Sequence, residues 1–230
     1  NQPFQIRIAC MPVLSEIFLP KIIADFATEH KDAHFYLRAQ TSARVHESIA
    51  SQQFDIGFAE NPDKSELYLT KDFSLPTMIA LPDGHSLSNH RMLSPKNLNN
   101  VPFATFLPEH DLTIQLRAAF ESADAKLNIP FFLQNAAAQY SIVENGHAVG
   151  FMSLLSVWLY QENWERRSTK KIIFRPFSPR IYQNISLITP RHRPLPRISQ
   201  LFAAKLEKSV HRILSTTQSK FQLGELEGLS

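Results

Sequence analysis

Nucleophilic catalysis needs a serine or cysteine held beside a base, so those residues come first. The chain of 230 residues has only six glycines, and no serine stands in a Gly-x-Ser-x-Gly frame. A Ser-His-Asp triad is recognised by geometry, and no motif here points to one. Cys10 is the only cysteine. It can form neither an intrachain disulfide nor a cysteine-based zinc site. The nine histidines include no His-Glu-x-x-His pair. His110 beside Asp111, and His30 near Asp32, read as exposed polar positions. No glycine-rich turn leads into a helix, so no phosphate cradle is expected. The sequence therefore assigns no catalytic residue, no metal and no cofactor, and a protein that is not an enzyme is expected.

Charge narrows the partners. The net charge is +3, but it is uneven. From Arg175 to Lys220 there are nine Lys/Arg and one acid, Glu207, which leaves the rest of the chain net acidic. Such a stretch can bind nucleic acid, but here it reads as a solvated helix face and the loop before it. Neither zinc-finger spacing nor a helix-turn-helix with a basic recognition helix is present. No apolar run approaches the roughly 18 residues that span a bilayer, so no membrane partner is expected. The single cysteine is compatible with a reducing, cytoplasmic setting.

The elements that must position any site alternate between strand-like and helix-like, which predicts an α/β protein. Gln5 to Cys10 reads as a strand, and a turn at Met11 and Pro12 follows. A helix is predicted from Ile17 to His30, with Phe18, Ile22 and Phe26 on one face. His34 to Ala39 is a second strand, and Thr41 or Ser42 caps a helix through Ala50. Asp55 to Ala59 and Met78 to Leu81 are short strands. A second α/β unit follows: strand Phe103 to Phe106, helix Leu112 to Lys126, strand Phe131 to Leu133, helix Ala136 to Glu144 ended by Gly146, strand Ala148 to Met152. Strands at Ile172 to Phe174 and Ile185 to Thr189 precede a terminal helix from about Arg197 to Thr216. This order predicts two Rossmann-like lobes with a hinge and a central cleft. Lobe I takes about residues 1–82 plus 183–222, and lobe II about 83–182. Ligands bind at strand carboxyl ends in such clefts.

Four passages carry a family resemblance. Ile6-Arg7-Ile8-Ala9 with Pro12 and Leu19-Pro20-Lys21 forms the opening strand and helix. Asp55-Ile56-Gly57-Phe58 is an acidic-start third strand. Ile79-Ala80-Leu81-Pro82 with Gly84-His85-Ser86-Leu87 forms a hinge passage. Val143, Gly146 and Gly150-Phe151-Met152 supply a second-lobe helix and strand. In this order they resemble the effector-binding domain of LysR-type bacterial transcription regulators over nearly the whole chain. The opening strand and Arg175-Pro176-Phe177 look closest to the opine-responsive branch. The resemblance implies a periplasmic-binding-protein type II-like fold, a small-molecule effector in the cleft, and a homodimer or homotetramer. It also implies a winged helix-turn-helix preceding Asn1, through which alone DNA would be bound. The alternative is a solute-binding protein of a transporter, which shares the fold.

In a fold of this kind strand ends and helix starts face the ligand. That selects Met11, Pro12, Val13 and Leu14 after the first strand, Gln40, Thr41 and Ser42 after the second, and Glu60 and Asn61 after the third. The second lobe would add Phe106, Asp111, Gln134, Asn135, Phe151 and Met152. Relatives that sense carboxylates often place a basic residue near the third strand's end, whereas this chain places Glu60 there with Asp63 close by. A carboxylate in a partly dry cleft favours a cation. The expected effector therefore bears an amine: a diamine, a basic amino acid or an opine.

Overall fold

Alternating apolar side chains build the first strand, β1 (Phe4–Cys10), whose Ile6 and Ile8 are fully buried. The computed structural model describes residues 4–61 and 65–221. Contacts divide the chain into two compact units. One is the chain up to Ser74 with Asn184–Arg212; the other is Leu75–Gln183 with the chain from Ile213 onward. Asp63 lies outside the described residues.

In the first unit β1 pairs in parallel with β2 (Ala33–Ala39) on one side and β3 (Ile56–Glu60) on the other. Their carboxyl ends therefore fall together, with Cys10 opposite both Ala39 and Phe58. β9 (Tyr182–Pro190) runs antiparallel to β3, placing Glu60 opposite Ile185. The helix predicted from Ile17 to His30 is α2 (Phe18–Glu29), while the predicted turn at Met11 and Pro12 opens a further short helix, α1 (Pro12–Glu16). Proline at the first position pre-sets the helical φ, and Ile17 at φ −138° breaks the run. α2 buries Phe18, Leu19, Ile22 and Phe26. The Phe26 ring meets Phe202 of α7 (Arg197–Phe221) edge-on at 5.1 Å. α3 (Ser42–Ala50) packs Val45 and Ile49 onto the sheet.

The second unit is built on the latter part of β4 (Tyr68–Pro82), far longer than the predicted Met78 to Leu81. β7 (Val149–Ser153) and β8 (Ile172–Pro176) flank β4 antiparallel, and β5 (Pro102–Phe106) pairs in parallel with β7 and β6 (Asn128–Leu133). α4 (Asp111–Ser122) ends short of the predicted Lys126, because Ala123 leaves the helix and Asp124 turns to φ 48°. α5 (Ala136–Glu144) matches its predicted span, with Gly146 at φ 75° just past its end. α6 (Leu154–Leu159) continues into a π turn at Tyr160–Trp164. The core joins Ile79, Phe103, Leu116, Phe120, Phe151 and Phe177.

Candidate functional site

The first unit gathers nine of the expected residues at the carboxyl ends of its parallel strands. The backbone ties this rim together: Met11 N–H donates to the Phe58 carbonyl at 3.0 Å, and Gln40 N–H to the Cys10 carbonyl at 2.8 Å. Met11 and Leu14 are buried, while Pro12 is exposed and Val13 half-buried.

Thr41 occupies the N-cap of α3, yet only its carbonyl is used, accepting from Val45 N–H at 3.0 Å; its hydroxyl makes no cap. Ser42 is different. Its Oγ accepts the backbone N–H of Glu60 at 3.3 Å, linking the start of α3 to the end of β3. The Glu60 carbonyl lies 2.9 Å from His46 Nε2, which donates to it. Two residues of α3 thus fix the Glu60 backbone, and Glu60 is half-buried. Gln40 Nε2 donates to Ser48 Oγ at 3.1 Å. Asn61 N–H donates to the Asn184 carbonyl at 3.2 Å, and Ser186 Oγ lies 2.9 Å from Asn61 Oδ1 and 2.6 Å from Asp72 Oδ1.

The second unit supplies a comparable set. Phe106 and Leu133 are opposite one another where β5 and β6 end. The Phe106 ring stacks on His110 at 4.4 Å and 17°, and Thr113 Oγ1 donates to the Phe106 carbonyl at 3.1 Å. Asp111 is exposed at the start of α4 and accepts from Gln115 Nε2 at 2.6 Å. Gln134 and Asn135 are exposed; Asn135 Oδ1 caps α5 by accepting Ala138 N–H at 2.9 Å. Phe151 and Met152 are not at a surface. Both are fully buried, Phe151 against Phe177 at 5.4 Å, because β7 lies between β4 and β5.

Sequence reading missed His46, Ser186 and Gln139. Gln139 is wholly buried on α5, and neither its Oε1 nor its Nε2 has a hydrogen-bond partner among the described residues. The available signal was a polar residue among Ala136, Tyr140 and Val143 on one helix face. Burial pushes the Cys10 thiol up to about 12, which leaves it protonated at neutral pH. Burial, reinforced by the bond to Glu144, likewise raises the Tyr160 hydroxyl. Among the described residues no group of three His, Cys, Asp or Glu could hold a metal, and no helix is long and apolar enough to cross a membrane.

Two α/β units with mixed sheets, each carrying parallel strand–helix–strand segments, belong to the periplasmic-binding-protein type II-like class. Residues 4–210 match the family described as the LysR substrate binding domain, and the chain belongs to that family. It is 24% identical over 215 residues to the transcriptional activator protein LysR of Escherichia coli, covering 92% of this chain and 66% of that protein. It is 37% identical over 91 residues to OccR, the octopine catabolism/uptake operon regulatory protein of Rhizobium meliloti, covering 40% of this chain and 30% of that one. The chain thus spans less than two thirds of either relative's length. The crystal structure of HinK, a LysR family transcriptional regulator from Pseudomonas aeruginosa, superposes with a TM-score of 0.73 at 17% identity, over 91% of this chain and 71% of that one.

Proposed function

We propose that this chain is the ligand-sensing part of a LysR-type transcription regulator, and that its effector is a small molecule bearing an amino or guanidino group. The family match over residues 4–210 carries the sensor reading. Both relatives described above are named as regulators of transcription or of an operon. The whole protein would act as a homodimer or homotetramer and would meet DNA through a winged helix-turn-helix outside this chain. Ligand would act by population shift: only a difference in affinity between two arrangements of the oligomer can move the DNA-binding parts.

The ligand class rests on Glu60. Its backbone is fixed by Ser42 and His46, and this half-buried residue stands at the strand-end rim. A carboxylate so placed forms charge-assisted bonds with an ammonium or guanidinium. Gln40, Thr41, Ser42 and Asn61, at the same strand-end rim of the first unit, offer polar partners beside it. The relative named for octopine catabolism supports the opine option among the amine-bearing classes.

A thermal-shift screen of diamines, basic amino acids and opines tests this, because a ligand that binds the native state raises the melting temperature. At least one amine or guanidine compound should stabilise the chain, and Glu60→Gln should weaken that ligand about tenfold or more. A screen without a cationic hit, or a cationic hit with unchanged affinity in Glu60→Gln, would overturn the ligand class.

A further inference from the structure

A cavity of about 660 Å³ lies wholly within the second unit, and its charge is one-sided. Arg91, Arg175, Arg180 and Lys220 line it together with His90, and among the described residues no aspartate or glutamate does. None of the strand-end residues considered above takes part in it. The cavity is also where part of the basic C-terminal stretch converges. Elsewhere in that stretch cations meet carboxylates: Arg193 reaches Asp55 at 2.5 Å and Lys205 reaches Glu29 at 3.1 Å.

Arg175 is held differently. It lies on β8, where alternation sends its neighbour Phe174 inward against Tyr160 at 5.5 Å. Its Nε and Nη2 donate to the Ser88 carbonyl at 2.9 and 2.6 Å, and its Nη1 donates to the Phe174 carbonyl at 2.8 Å. These carbonyls fix the guanidinium without neutralising it. A guanidinium has five N–H donors, so one remains on each of Nη1 and Nη2. Among the described residues Arg175 and Arg91 have no carboxylate partner. The Lys220 ammonium sits 5.9 Å from the Phe221 ring, and Met92, 55% exposed, adds apolar surface to the same wall.

Like charges gathered in a concavity repel one another and focus a positive potential. An oxyanion relieves that repulsion and forms short, charge-assisted bonds, bidentate where a guanidinium offers two donors. We infer that this cavity binds a small oxyanion, a phosphate or carboxylate group, seated on the two remaining Arg175 donors and reached by Arg91 and Lys220. The apolar wall at Met92 and Phe221 would cover the body of a ligand carrying that group. The inference does not rest on the proposed cationic effector, since the two sites share no residue.

Calorimetric titration of the chain with sodium phosphate and with sodium succinate, at ionic strength fixed with potassium chloride, tests it. At least one oxyanion should bind saturably. Phosphate ahead of succinate assigns a phosphate-bearing ligand, and the reverse order a carboxylate. Arg91→Gln should weaken binding about tenfold, the loss of one bond to a charged group. Arg175→Lys, which keeps charge but loses the fork, should weaken it similarly. Glu60→Gln should leave it unchanged. Should Arg175→Lys fail to fold, Arg91→Gln and Lys220→Gln decide the matter, because both leave the Arg175 bonds intact. Absence of saturable binding by either anion, or full affinity in both Arg91→Gln and Lys220→Gln, overturns the inference.

Discussion

The Arg193 guanidinium reaches the buried Asp55 carboxylate at 2.5 Å across 138 positions of sequence. The same carboxylate accepts the Arg7 backbone N–H at 2.7 Å and Arg7 Nη2 at 3.2 Å. One acid, just before β3, thus ties β1 to the loop after β9. Its side chain is only 4% exposed. Breaking a buried pair costs more than the pair contributes, because the remaining charges lose their partner. Asp55→Ala should lower the unfolding free energy by about 3–5 kcal/mol. Arg193→Leu leaves Arg7 in place and should cost less, about 1–3 kcal/mol. Urea denaturation of both variants measures this. Equal costs would show that the two guanidinia do not share the carboxylate.

Gly57 is a packing glycine. A Cβ there would lie 2.8 Å from Ile49 Cγ1, 3.0 Å from Val45 Cγ1 and 3.3 Å from Ile188 Cβ. Its absence lets α3 lie close on β3. Gly57→Ala forces branched, fully buried neighbours apart and should destabilise by about 1–3 kcal/mol. The midpoint of chemical denaturation reads the cost. A neutral result would mean that α3 shifts freely on the sheet.

Gly57 lies in a passage that was legible in the sequence, as were β1 and α3 from their apolar spacing and α5 from the Gly146 stop. β4 was read only at Met78 to Leu81. Its earlier half carries exposed Lys71 and Asp72 and then Pro76, and these conceal a strand with one face in solvent. α6 escaped because Leu154 to Val157 are all buried, which leaves no amphipathic period. At the site, sequence located the strand ends but not which hydroxyl would be used. Ser42 serves Glu60 because β3 ends beside α3, a tertiary fact. Phe151 and Met152 looked like strand-end residues, yet β7 has a neighbour on each side. The cationic cavity was invisible because Arg91 and Lys220 lie far apart in the chain.

His85 gives a pH dependence of definite sign. Burial lowers its pKa below the ordinary 6.5. Its Nδ1 accepts Leu87 N–H at 3.2 Å, capping the 3-10 turn at Ser86–Asn89, and a protonated ring could not do so. The unfolded chain therefore takes up the proton first. The stability that His85 contributes is complete above its unfolded pKa and is lost as pH falls through its folded value. Unfolding free energy should decline as pH falls from about 7 more steeply in the natural chain than in His85→Asn, which keeps an acceptor without titrating. Proton NMR should place the His85 midpoint below 6.5. A midpoint at or above that value would reverse the sign.

Gln139 sets the last prediction. It is wholly buried on the inward face of α5 with Ala136, Tyr140 and Val143, and both its amide atoms lack partners among the described residues. A buried amide left unpaired costs roughly 1–3 kcal/mol, whereas an apolar group of the same shape carries no such penalty. Methionine has nearly the same length and adapts to irregular space. Gln139→Met should therefore raise the unfolding free energy of the ligand-free chain by about 1–2 kcal/mol. Natural proteins keep such groups where function uses them, so ligand affinity is the second measurement. A variant that is more stable alone but binds the cationic effector more weakly assigns the amide to the ligand. A variant that is more stable with unchanged affinity removes Gln139 from the site and leaves the burial penalty as its whole effect. Loss of stability would show instead that the amide is paired in solution, and the penalty argued here would not exist.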